Sequence, residues 1–192
     1  MYRQWGIRVD GVISPPIDCS LFRPSSSKPS EDYVLTHLGV YGKEGKFPII
    51  KAIADAGVLL KVFGKLYYTP KYLLTHPNIT FLGRVTDEEL IDLYSNALYT
   101  LFAFSHEPFG YVPLESIACG TPVLTYNMQG PSETIVNKKT GWLVDTDLEM
   151  FNLAIDIWKN GYKGDMRDAC RERALAFDAN KIFRQWIKIL NV

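Results

Sequence analysis

Hydrophobic positions along the chain fall into two alternating kinds of segment. Six short runs, at residues 33–38, 58–63, 79–82, 98–104, 122–126 and 142–144, are apolar almost without interruption. Continuous rather than alternating runs predict strands covered on both faces. Between them, 48–56, 88–96 and 111–119 carry apolar residues at helical spacing, and three more helices are predicted at 148–160, 165–177 and 180–190. Thr86 or Asp87, followed by Glu89, gives the helix at 88–96 an N-cap and an acidic first turn. Strands alternating with helices imply βαβ crossovers. The expected fold is therefore α/β, a Rossmann-like doubly wound and mostly parallel sheet of about six strands with C-terminal helices. The first thirty residues are rich in Pro and Ser, as in Ser14-Pro15-Pro16 and Pro24-Ser25-Ser26-Ser27-Lys28-Pro29-Ser30, and read as linker. This divides the chain into a linker at 1–30 and one domain at 31–192.

Composition removes several classes. At 192 residues, 47% hydrophobic and 22% charged, the chain can bury a core without disulfides or metals. Its 21 Lys and Arg balance 21 Asp and Glu, whereas a general nucleic-acid binder needs a basic surplus. No apolar run is long enough to cross a bilayer, and Met1-Tyr2-Arg3-Gln4-Trp5-Gly6 lacks the apolar block of a signal peptide. Cys19, Cys119 and Cys170 are odd in number and widely spaced, suggesting neither a disulfide framework nor a zinc site. His37, His76 and His106 are scattered, so no metal is expected. The expected compartment is the reducing cytoplasm, with peripheral membrane contact left open.

Doubly wound sheets take ligands beyond the carboxyl ends of their strands, so chemistry is sought in the loops that follow strands. After 98–104 comes Ser105-His106-Glu107-Pro108-Phe109-Gly110-Tyr111-Val112-Pro113-Leu114-Glu115. Gly110 suits a strained turn, Pro113 suits the first helical turn, and Gly120 closes the helix. Free N–H groups at residues 109–112 would face the crevice and bind an anion such as a phosphate. Glu107 and Glu115 flank that end and suit hydroxyl groups on either side of a diphosphate. On spacing alone, however, Glu107 merely favours the positive helix end and Glu115 is a solvated helix residue. After 33–38 comes Gly39-Val40-Tyr41-Gly42-Lys43-Glu44-Gly45-Lys46, which fails both the P-loop and dinucleotide patterns. It reads either as a cationic lid offering Lys43 and Lys46 to phosphates or as a flexible loop of solvated lysines.

The string Glu107-Pro-Phe-Gly-Tyr-Val-Pro-Leu-Glu115, with Ala118-Cys119-Gly120-Thr121-Pro122-Val123 behind it, resembles the retaining GT-B glycosyltransferases of family 4. Phe81-Leu82-Gly83-Arg84-Val85-Thr86-Asp87-Glu88-Glu89-Leu90, Gln129-Gly130-Pro131-Ser132-Glu133 and Gly141-Trp142-Leu143-Val144 extend the resemblance. It implies that Glu107 contacts donor-sugar hydroxyls and is the catalytic residue. It also implies that amides of Phe109, Gly110, Tyr111 and Val112 hold a diphosphate and that Glu115 takes ribose hydroxyls. Arg84 and Val85 would lie beside the base, and Gly39 would open the phosphate loop. Val40 stands where the family places an Arg, and Gly45 stands at the expected Lys, with Lys46 beside it. The resemblance covers the donor-binding half of a two-domain fold. It implies a UDP-, GDP- or ADP-linked sugar as substrate, no metal, and an acceptor domain that is missing or separate.

Two features read as structural. Asp145-Thr146-Asp147 spells D-x-D, but it precedes the helix at 148–160, where N-capping accounts for both carboxylates. Phe183, Trp186, Ile187 and Leu190 form an apolar stripe that is expected to pack in the core. Three readings stand side by side: a transferase or its donor half, a module that binds nucleotide-sugar without turnover, and an interaction domain with a decayed site.

Overall fold

The computed structural model describes residues 2–9, 11–25, 28–38, 46–65, 69–162 and 166–190. Among them six strands form a single sheet: β1 (Val34–His37), β2 (Leu60–Phe63), β3 (Ile79–Gly83), β4 (Thr100–Phe102), β5 (Val123–Tyr126) and β6 (Gly141–Val144). Their order is β3-β2-β1-β4-β5-β6 and every pairing is parallel. The chain therefore winds outward in one direction from β1 and in the other from β4, and the β1/β4 boundary is the point where the order reverses.

Successive strand residues enter opposite layers, as the pleat requires. Val34, Leu60, Val62 and Leu124 pack with helices α1 (Phe47–Asp55) and α6 (Asp147–Asn160). Leu35 and Phe63 pack with Tyr94 of α3 (Asp87–Asn96), and Phe102 and Val123 pack with α4 (Tyr111–Ala118) and α7 (Met166–Ala174). Burial on both faces is why the strand runs lack polar alternation. Two short helices, α2 (Lys71–Leu74) and α5 (Gln129–Thr134), were not expected from periodicity. With four and six residues, neither gives the pattern two full turns to appear in.

Two local expectations need correction. The α6 cap is Thr146, whose side chain accepts from Glu149 N at 3.1 Å, so neither Asp145 nor Asp147 is the cap. The C-terminal stripe on α8 (Ala179–Leu190) is not core: Ile182 is buried, but Phe183, Trp186 and Leu190 are 64%, 48% and 63% exposed. Helical spacing shows that a face is apolar without saying what covers it.

Pro- and Ser-rich as it is, the start of the chain is built into this fold. Ile17 and Cys19 are buried with Leu114, Ile117 and Phe177. Ile17 bridges Asp178, donating to Phe177 O at 3.0 Å and accepting from Ala179 N at 2.9 Å.

Candidate functional site

The predicted residues lie in three loops at the carboxyl edge of the sheet: those after β3 and β4 start α3 and α4 in one layer, and that after β1 leads to α1 in the other. The loop after β4 carries most of the predicted residues. Its turn is made by Gly110, which caps α4 with φ of 87°, a left-handed conformation that side chains disfavour. Glu107 folds back, its Oε1 accepting from Gly110 N at 3.2 Å, and its carbonyl accepts from Gly130 N at 3.2 Å. The next amides, of Tyr111 and Val112, belong to the first helical turn and have no carbonyl within the helix to reach. Pro113 has no N–H to leave over. The helix end thus offers two adjacent backbone donors backed by the positive end of the dipole.

Phe109 stands edge-on to Tyr111 and to Phe177, with ring centroids 5.2 and 6.3 Å away. Its backbone lies against Gly130, where a Cβ would come within 2.2 Å of Phe109 Cα. Gly130 and the α5 start therefore support the loop from beneath. Periodicity missed both; Gly130 entered only within the string Gln129-Gly130-Pro131-Ser132-Glu133, with no role attached to it.

Glu115 lies one turn into α4 and is half-buried rather than solvated. The hydroxyl of fully buried Tyr94, on α3, donates to its Oε2 at 3.0 Å. Burial pushes the Glu115 carboxyl above its ordinary value and nearby Asp87 adds to this, while the Tyr94 bond pulls the other way. Tyr94 was not anticipated, because an aromatic at helical spacing reads as core.

Arg84 is exposed and Val85 half-buried just beyond β3. They lie before a complete capping box, in which Thr86 N donates to Glu89 Oε2 and Glu89 N to Thr86 Oγ1. With Leu82 and Leu93 they line an open cavity of about 290 Å³. Asp87, which acts on Glu115, opens the same helix, so the β3 loop and the second carboxylate of the β4 loop are neighbours.

The remaining predicted residues belong to the loop after β1. Gly39, Val40, Lys43 and Gly45 lie outside the described residues. Lys46 is described, and its backbone N–H donates to Ala103 O at 3.3 Å, which brings the end of this loop to the β4 exit. Its ammonium pairs with Asp147 Oδ1 at 2.7 Å and lies 4.3 Å from the centre of the Tyr126 ring. The Tyr126 hydroxyl donates to the same oxygen at 2.6 Å. The Lys46 bond, with the Tyr126 bond second, holds the Asp147 carboxyl below its ordinary value. Lys46 is therefore tied to the α6 start, not extended over the α4 start.

A family profile described as "Glycosyl transferases group 1" matches residues 20–177. The chain belongs to the group 1 glycosyl transferases. Within that family it is 38% identical over 98 residues to the mouse Alpha-1,3/1,6-mannosyltransferase ALG2, covering 50% of this chain and 24% of that protein. It is 35% identical over 74 residues to the Staphylococcus aureus capsular polysaccharide biosynthesis glycosyltransferase CapM, covering 38% and 19%. Among solved structures, the sucrose-phosphate synthase of Thermosynechococcus elongatus superposes with a TM-score of 0.81 at 23% identity, over 99% of this chain and 54% of that one. Anabaena Alr3699/HepE in complex with UDP gives 0.82 at 22% identity, over 99% and 60%. This group 1 glycosyl transferase chain thus spans little more than half the length of those solved chains, and at these identities they speak to fold.

Proposed function

We propose that this chain is the donor-binding half of a retaining glycosyl transferase, acting on a sugar linked to a nucleoside diphosphate. The observation that carries the reading is the α4 start: two free amides behind a left-handed Gly110, with a carboxylate on each side, at the point where the strand order reverses. The diphosphate would sit on the Tyr111 and Val112 amides. Glu107 would meet the sugar, Glu115 the ribose, and the Arg84-Val85 loop the base. Helix-end amides, with Gly39, Lys43 and Lys46 of the phosphate loop, would offset charge on the departing diphosphate without a resident metal. Lys46 would first have to leave Asp147. An acceptor domain, on the same chain or a separate one, would complete the active site. Three free, buried cysteines fit a reducing cytoplasmic setting. Among the described residues, no helix is long and apolar enough to cross a membrane.

Calorimetric titration with UDP, GDP and ADP, each with and without a linked sugar, tests the reading. One nucleoside diphosphate should bind, more tightly when it carries a sugar. No binding by any of the six would overturn it.

A further inference from the structure

Helix α7 carries three arginines, and each donates to the end of a different helix. Arg167 donates from Nη1 to Ala97 O at 3.2 Å and from Nη2 to Ser95 O, in the last turn and cap of α3. Arg171 Nη1 reaches Ala118 O, at the last residue of α4, at 2.9 Å. Its remaining bonds, both at 2.7 Å, go to Phe22 O and Cys19 O. Arg173 donates from Nε to Thr134 O at 2.9 Å and from Nη2 to Glu133 O at 2.5 Å, the last two residues of α5. The final carbonyls of a helix have no partner inside it, and a cation there also meets the negative end of the dipole. One short helix therefore closes α3, α4 and α5 in succession.

The opposite ends of those same helices carry the candidate site. Arg84 and Val85 lead into α3, Gly110 opens α4, and Gly130, the second residue of α5, lies against Phe109. Helices α3 and α4 have ten and eight residues. At about 1.5 Å per residue they are rods of roughly 15 and 12 Å, stiff enough for the position of one end to fix the other.

We propose that Arg167, Arg171 and Arg173 are positioning residues of the donor site. By setting the depth of three helices from their far ends, they set how the base-side loop, the diphosphate-side helix start and the support beneath Phe109 converge. The inference rests on the donor-site reading above for what converges, though not for the convergence itself. It requires guanidinium in particular, because Arg171 spans three carbonyls in fixed directions and a single ammonium cannot.

The experiment uses the full chain with Arg171→Met, Arg171→Lys, Arg173→Met and, as a control on exposed α8, Arg184→Met. Amide hydrogen exchange is followed at Leu114, which donates to Gly110 O, at Gly130, which donates to Glu107 O, and in β5, alongside calorimetry with UDP, GDP and ADP below the unfolding transition. In Arg171→Met, exchange should quicken at Leu114, whose N–H makes the first bond of α4, while β5 stays protected. Affinity for the nucleotide that the wild type binds should fall roughly 2- to 30-fold. Arg171→Lys should recover part of both effects, and Arg184→Met should change neither. Should Arg171→Met not fold, Arg173→Met still decides: it loses the α5 bonds and the contact of its guanidinium with the Phe177 ring, 4.8 Å from the ring centre, and should release the Gly130 amide. Exchange that is unchanged at the helix starts, or that rises equally in β5, makes the arginines merely stabilising and overturns the proposal. A wild type that binds no nucleotide removes the donor reading, and the exchange result alone then supports or overturns the positioning role.

Discussion

Glu115 holds a carboxylate where charge is disfavoured, and this gives its pH dependence a definite sign. Its folded pKa lies above the unfolded value because of burial, so between the two the folded chain holds more protons. Stability should fall as pH rises through a window that opens just above 4.5. Glu115→Gln should flatten that part of the curve, which urea unfolding at a series of pH values will show. Ligand contact has the opposite sign: an ionised carboxylate accepts the stronger bond, so nucleotide affinity should rise with pH across the same window. Glu115→Ala should cost about 1–3 kcal/mol of nucleotide affinity, and equal affinities in calorimetry would remove it from the site. Glu107 differs, because its side chain already occupies the Gly110 amide that an incoming phosphate oxygen could use. Glu107→Ala should therefore leave the free nucleotide bound as well as before and lose only the increment added by the sugar. Equal losses with and without the sugar would place its action on the diphosphate.

At the scale of elements, the starts of α4 and α5 act as one unit. Gly110→Ala puts a Cβ in a left-handed turn, 3.2–3.4 Å from Pro131, Pro113 and Glu107, and should cost about 1–2 kcal/mol in thermal unfolding. Gly130→Ala is more damaging to binding than its size suggests, since the Phe109 backbone must move to admit the methyl. Nucleotide binding should fail even in protein that keeps its far-UV circular dichroism. Thr86→Ala breaks the α3 capping box and should cost about 1 kcal/mol. The central strands were legible because they are buried on both faces, the edge strand β3, with Thr80 exposed, by its short apolar run alone, and α3 because its cap and acidic turn are local signals. The Tyr94–Glu115 bond, the support of the Glu107 carbonyl by Gly130 and the Lys46–Asp147–Tyr126 cluster were not legible. Their partners are 21 to 101 residues away along the chain, and no spacing rule reaches that far. The α8 stripe shows the converse: its period was read correctly, but burial depends on a neighbour that periodicity cannot name.

At the scale of the molecule, the described residues form one doubly wound sheet, and on the donor-half reading the reaction needs an acceptor held against the donor sugar, positioning that carries much of the rate. The isolated chain should bind donor yet transfer little or no sugar, and adding the matching acceptor half should restore turnover. Ordinary enzymatic rates from the purified chain alone, in a radiolabelled-sugar assay, would overturn this. The pairing of Ile17 with Asp178 has a further consequence, for how the chain is made. A ribosome delivers residues in order, at about 5–20 per second. Ile17 and Cys19 therefore emerge long before the strand-like bridge and the Arg171 bonds that will hold them. The central strand waits too, because β1 lacks its second neighbour until β4 follows more than sixty residues later. The nascent chain must carry Ile17 unpaired until Ala179 has left the exit tunnel, so closure of this part of the fold is expected as a late event, not a strand-by-strand accretion.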